Sequence, residues 1–174
     1  MSKFAVTSLL LYCLGLLVYV NVAHAQATST KSNPPQPAWA VGCTGQGAEA
    51  KLTCRMTQTL VVTKTRRPLL VTTITPPTKP GEDSTMLFRL PHGIYLPAGV
   101  SIKVDGGKSF KIEIQTADAN GSYAGIGLTA PLLVAMIKGN TLTVTMKSTA
   151  KKDVAIPLTL SGFGAAYKRI TTVN

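Results

Sequence analysis

The chain has 174 residues, with 18 lysines and arginines against seven acidic residues and a formal net charge of +11 at pH 7. This length suits one domain with a hydrophobic core, and the excess of positive charge favours anionic partners. The sequence shows no strip of interleaved aromatic and basic residues of the kind that stacks single-stranded nucleic acid, so nucleic acid is not expected as a partner.

The first 25 residues have the pattern of a secretory signal peptide. Lys3 gives a positive start, Phe4–Val20 is an apolar run, and Ala23 and Ala25 occupy the small-residue positions of a cleavage site. We expect cleavage after Ala25 and a periplasmic or secreted mature protein of 149 residues with a net charge of +10. The alternative is an uncleaved anchor in the inner membrane, because the run reaches the lower edge of a spanning length. Membrane association is expected only in that case.

Residues 26–38 are polar and contain several prolines, which predicts a disordered linker. A single domain is expected over 39–174, beginning at Trp39, whose indole needs both packing and a hydrogen-bond partner. Without the leader, Cys43 and Cys54 are the only cysteines, so an oxidising compartment should join them. That disulfide would close a loop of about 12 residues and contribute about 2–3 kcal/mol. The alternative is two reduced, buried cysteines.

From Leu60 onward apolar residues recur with a period of two, which is typical of β-strands. Predicted strands cover 60–64, 69–74, 85–90, 141–147 and 154–160, and Pro157 places the last one at an edge or a bulge. The clearest pattern is a hairpin in which 100–104 and 110–114 flank a turn at Asp105–Lys108.

One short helix is predicted after Thr129-Ala130-Pro131, ending at Gly139, with an apolar stripe that should face the core. The stripe consists of Leu132, Leu133, Met136 and Ile137. Residues 117–127 are small and polar, with a turn at Asn120-Gly121, and 161–167 closes the domain. These elements predict an all-β fold, an antiparallel β-sandwich of jelly-roll-like type with one short helix, and a small β-barrel as the alternative.

The densest basic clusters give the candidate contacts with an anionic partner. They are Lys64, Arg66, Arg67, Lys151 and Lys152. In an exported protein such a partner would be an envelope or host-surface component or an acidic protein face. The competing interpretation is a solvated basic surface without a specific partner.

The common catalytic and cofactor motifs are absent from the sequence: no Gly-x-Ser-x-Gly, no His-Glu-x-x-His, no phosphate-binding glycine loop and no Cys-x-x-Cys. His92 is the single histidine of the mature chain and is interpreted as a turn residue between Pro91 and Gly93. Zinc prefers four close ligands, which the mature chain does not offer. We therefore expect no catalytic residue, no cofactor and no metal, and a protein that is not an enzyme.

Several short motifs occur in a fixed order along the domain. They are Trp39-x3-Cys43, Cys54-x-Met56, Arg89-Leu90-Pro91-x-Gly93-x2-Leu96-x2-Gly99-Val100, Leu132-Leu133 followed by Lys138-Gly139, and Leu160-Ser161-Gly162-Phe163-x2-Ala166. The ordered set resembles the invasion-associated locus B (IalB) family of exported proteins of Gram-negative bacteria. The resemblance covers about 39–167 and implies an envelope or secreted protein without a described reaction.

One part of the family pattern is missing. Relatives usually carry a second cysteine pair, Cys-x3-Gly-Cys, before the helix, and the matching positions here are Ala117 and Ser122. Loss of both cysteines together is what a disulfide pair requires, because one alone would leave a reactive thiol.

The function predicted from these features is an exported, non-enzymatic binding or structural protein of the bacterial envelope. The resemblance to the IalB family adds an association with host-cell interaction. Two alternatives remain. One is a periplasmic carrier or chaperone-like factor that holds an apolar ligand between its sheets. The other is a hydrolase with an unrecognised site near His92.

Overall fold

The computed structural model describes residues 38–45 and 52–173. The strands and α-helices in chain order are β1 (Ala40–Thr44), β2 (Thr53–Val61), β3 (Pro68–Thr75), β4 (Ser84–Leu90), β5 (Val100–Val104), β6 (Ser109–Ile112), β7 (Ile114–Asp118), β8 (Gly121–Leu128), α1 (Ala130–Lys138), β9 (Thr141–Lys147), β10 (Asp153–Thr159) and α2 (Phe163–Val173), and a 3-10 helix (Leu96–Ala98) precedes β5. The predicted leader, and the linker apart from Ala38, lie outside the described residues.

The strands form two antiparallel sheets. The larger has the order β1-β2-β3-β4-β8-β7 and the smaller has the order β10-β9-β5-β6. Among the described strands neither sheet closes on itself, so the β-barrel alternative is wrong and the predicted β-sandwich is confirmed. β10, which carries Pro157, pairs only with β9 and is an edge strand as predicted.

The two sheets share one core because alternate residues of each strand face inward. Met56 of β2, Ile74 of β3 and Phe88 of β4 are fully buried, and Val144 and Leu158 of the smaller sheet belong to the same cluster. The predicted β5–β6 hairpin is confirmed. It ends one pair earlier than expected, since the chain crosses at Glu113 to the larger sheet and begins β7 there.

Residues 117–127 form more regular structure than their composition indicates. β7 and β8 pair on either side of the predicted Asn120-Gly121 turn. The side-chain amide of Gln115 donates to the carbonyl oxygen of Gly125 at 3.1 Å and accepts its N–H at 3.0 Å. A Cβ at Gly125 would lie 3.3 Å from Gln115 Oε1. The Gln115 side chain therefore lies directly against β8 at Gly125, which leaves little room for a side chain there.

Two helices complete the domain. The predicted helix is confirmed as α1, which buries Leu132 and Met136, whereas Ile137 is 49% exposed. The structure adds α2, where the sequence indicated only the end of the domain. α2 packs on β1 and β2 with Phe163, Ala166 and Ile170 buried.

Candidate functional site

The predicted disulfide is confirmed. Cys43 and Cys54 are bonded, and they are direct partners in the antiparallel register of β1 and β2. The bond joins the edge strand of the larger sheet to its neighbour. Removal of Cys43 or Cys54 would therefore take away one constraint on a strand that has only one paired side among the described residues.

Trp39 has both of the contacts that its indole requires. Its Nε1 donates to the carbonyl oxygen of Thr159 at 2.9 Å, and its ring packs edge-to-face on Phe163 with centroids 5.2 Å apart. Gln58 Nε2 donates to the same carbonyl oxygen at 3.1 Å. These contacts tie the start of the domain to the end of β10 and to α2.

The first predicted basic cluster forms the turn between β2 and β3. The turn is closed by two backbone hydrogen bonds, from Val62 N–H to the Arg67 oxygen and from Arg66 N–H to the Val62 oxygen. Lys64, Arg66 and Arg67 are all exposed. Arg66 lies in the left-handed region, with φ of 56°. The turn holds its backbone in place without using any of the three cationic groups.

The second predicted cluster forms the turn between β9 and β10. Ser148 N–H donates to the Lys152 oxygen at 2.9 Å, and Lys151 N–H donates to the Ser148 oxygen at 2.8 Å. Lys151 is also left-handed, with φ of 59°. Its ammonium lies 5.1 Å from the centre of the Tyr95 ring. The lysine side chains at this turn are exposed as well.

The fold brings the two basic turns to the same end of the sandwich. β3 and β4 are antiparallel neighbours, so the β2–β3 turn lies at the same end of the larger sheet as Leu90, the last residue of β4. Four residues later Ile94 forms a bridge with Ser148, and Tyr95 N–H donates to the Lys147 oxygen at 2.8 Å. Four residues span at most about 14 Å. We call this surface, consisting of Lys64, Arg66, Arg67, Lys151 and Lys152, the basic end.

Two acidic residues near this end already have partners. Asp153 accepts a hydrogen bond from Lys147 Nζ at 2.7 Å. Asp118 accepts the backbone N–H of Asn120 at 2.7 Å and the hydroxyl of Tyr123 at 3.1 Å. The Asn120 hydrogen bond is the main cause that lowers the pKa of Asp118. Partial burial, with the hydrogen bond to Asp118, raises the pKa of Tyr123. These carboxylates do not pair with the five cations.

His92 lies in the bend after β4, as the sequence predicts. Its Nε2 is 3.3 Å from the carbonyl oxygen of Ala119, to which it donates when that nitrogen carries the proton. In the part of the chain that the structure describes, no three His, Cys, Asp or Glu residues cluster as metal ligands would. None of the described helices has both the length and the apolar character needed to cross a bilayer.

A groove that the sequence did not indicate runs between β1 and α2. Val41 and Cys43 form one side, and Ala165, Lys168 and Val173 contribute to the other. Its volume is about 450 Å³. The groove lies at the surface rather than between the sheets. The groove is absent from the sequence prediction because α2, which forms one of its sides, was not predicted.

Residues 39–171 match the profile of the family described as Invasion associated locus B (IalB) protein. The chain belongs to the IalB family. A solved structure, described as the crystal structure of invasion associated protein b from Bartonella henselae, is 21% identical, with a TM-score of 0.70 over 78% of this chain and 92% of that chain. This likeness shows that the fold is shared. No curated protein matches the sequence.

The IalB-family positions that lack cysteine here are neighbours in the structure. Ala117 of β7 and Ser122 of β8 are direct partners in the antiparallel register, beside the Asn120-Gly121 turn. Gly121 has φ of 153°, and a Cβ there would lie 2.3 Å from the Leu90 oxygen. The glycine of the family pattern is therefore required by the close approach of β4, with or without the cysteines.

Proposed function

We propose that this IalB-family protein is an exported, non-enzymatic binding module of the bacterial envelope that contacts an anionic partner through its basic end. The observation that carries the proposal is the convergence of the two densest basic clusters of the sequence on one end of the sandwich. Like charges on one surface repel each other, and none of the five forms an ion pair among the described residues. An external anion would offset that repulsion.

The ion pairs among the described residues leave the basic end free. They join Lys79 to Glu82 at 3.9 Å and Lys147 to Asp153 at 2.7 Å. The five cations of the basic end take part in neither. Exposed charges of this kind raise the local concentration of anionic partners and speed their association. Salt should weaken the contact because exposed charges are screened.

Export is supported by the leader pattern, the disulfide and the family. Disulfides persist in oxidising compartments such as the periplasm and the cell exterior. The name of the Bartonella protein associates that protein with invasion. For this chain we propose a more general role, in which the protein binds an anionic component either of the bacterial envelope or of a host surface.

The test is retention of the mature protein on native envelope fractions at low and at high salt. The variant Lys64→Gln/Arg66→Gln/Arg67→Gln should lose most of the retention. The control Lys103→Gln/Lys108→Gln/Lys168→Gln removes the same charge elsewhere and should keep it. Equal retention of both variants, or retention that salt does not change, would contradict the proposal.

A second candidate function, a carrier for an apolar ligand, is favoured by the groove between β1 and α2. Its volume of about 450 Å³ is in the usual range for small-molecule sites. Val41, Ala165 and Val173 offer apolar surface, and Lys168 and Arg169 add two cations to the lining. A fluorescent fatty acid should then bind the protein, and Ala165→Trp should block it. Binding that Ala165→Trp leaves unchanged would exclude this groove.

A further inference from the structure

We infer that the basic end docks peripherally on an anionic phospholipid membrane. The inference rests on the proposed function and deepens it, because it identifies the chemistry of the partner. The lysines and arginines would contact lipid phosphates, and neighbouring aliphatic side chains would enter the headgroup region. This contact needs no membrane-spanning segment, unlike the anchoring expected from an uncleaved leader.

The first observation is that exposed valines accompany the cations. Val61 and Val62 directly precede the β2–β3 turn and are 42% and 38% exposed. Val154 follows the β9–β10 turn and is 40% exposed. A soluble polyanion would be bound by the charges alone. Apolar side chains next to lysine and arginine are typical of surfaces that lie in the membrane interface.

The second observation concerns the backbone of the turns. The described non-glycine residues with positive φ are Arg66, Lys151 and Asp105. This conformation disfavours every residue with a Cβ, and glycine would adopt it more easily. Asp105 has a reason within the fold, since its carboxylate accepts the N–H groups of Asn140 and Thr141 at 3.0 and 2.9 Å.

Arg66 has no comparable reason among the described contacts: its hydrogen bond is made by its backbone N–H. The Lys151 ammonium contacts only the ring of Tyr95 among those residues, at the surface. At both turns a cationic residue therefore occupies a position at which the backbone conformation favours glycine. A partner outside the fold explains that choice, and strained backbone of this kind occurs at binding sites.

Flotation with lipid vesicles tests the inference. The protein should bind vesicles that contain phosphatidylglycerol and should not bind vesicles of phosphatidylcholine alone. Each cation removed should lower the partition coefficient about fivefold, so Arg66→Gly/Lys151→Gly should lower it about 25-fold. This variant should fold at least as well as the natural protein, because glycine suits both positions. The control Lys103→Gln/Lys108→Gln should bind with little change.

A second variant separates the membrane from other anions. Val61→Ser/Val62→Ser keeps every charge and should lower binding to the anionic vesicles about tenfold. Its binding to heparin, a soluble polyanion, should be unchanged. If the valine variant binds vesicles as the natural protein does, the membrane inference is overturned and the proposed function stands. If the glycine variant binds both vesicles and heparin unchanged, the proposed function is overturned as well.

Discussion

The Cys43–Cys54 disulfide closes a short loop at the edge of the larger sheet, so replacing both cysteines with alanine should destabilise the domain. The two residues are 11 apart in the sequence. For a loop of this length the loss of chain entropy in the unfolded state corresponds to about 3 kcal/mol at 25 °C. In a domain of this size about 1 kcal/mol shifts the melting temperature by about 3 °C. We expect a decrease of about 9 °C.

The assay is thermal unfolding followed by circular dichroism, with and without a reducing agent. Reduction of the natural protein should shift its melting temperature as far as Cys43→Ala/Cys54→Ala does, and the reducing agent should leave that variant unchanged. If the variant has the same melting temperature as the oxidised natural protein, β1–β2 pairing alone constrains the loop, and the reasoning from the disulfide is refuted.

Three further variants test the packing and the electrostatics of the sheets. The hydroxyl of Thr72 is fully buried and has no hydrogen-bond partner among the residues that the structure describes. Thr72→Val should therefore raise the free energy of unfolding by about 1–3 kcal/mol, and a decrease would show that the hydroxyl is bonded. The backbone hydrogen bond from Asn120 holds the pKa of Asp118 below its ordinary value. The stabilising effect of this carboxylate is therefore present above the ordinary pKa and is lost as the pH falls through the lower folded value. Asp118→Asn should therefore lower stability at neutral pH and differ little in strong acid, as urea unfolding would show; an equal loss at both pH values would refute this. Ala117→Cys/Ser122→Cys should form a second disulfide detectable by mass, and two persistent free thiols would contradict the register.

The period-two strands and the β5–β6 hairpin could be predicted because one face of each strand is buried. The passage of the chain from one sheet to the other at Glu113 could not be predicted. Ile112 and Ile114 continue the same alternation, although they belong to different sheets, because each sheet requires an inward-facing residue at that point. A local pattern does not record a change of sheet.

α2 was missed because Gly162 and Gly164 flank its first residue, Phe163, and indicate a turn. Gly162 does lie in the left-handed region, with φ of 77°, but the helix begins directly after it. The recurrence of Phe163, Ala166 and Ile170 was the available signal. The absence of α2 from the prediction also hid the groove beside β1.

The basic residues could be identified from their density in the sequence, whereas their convergence could not. It depends on the bridge between Ile94 and Ser148, which joins segments more than 50 residues apart in the sequence. Long-range pairing of this kind leaves no local pattern. The left-handed conformations of Arg66 and Lys151 could not be predicted either, since neither turn contains a glycine that would indicate a positive φ.

The most direct test of the basic end is hydrogen–deuterium exchange of the mature protein with and without anionic vesicles. We expect protection in the two segments 61–68 and 148–154, and unchanged exchange at the β5–β6 turn, 105–108, which the fold places at the opposite end of β5. Protection confined to 105–108 or to α2, with no change at either basic turn, would contradict the account.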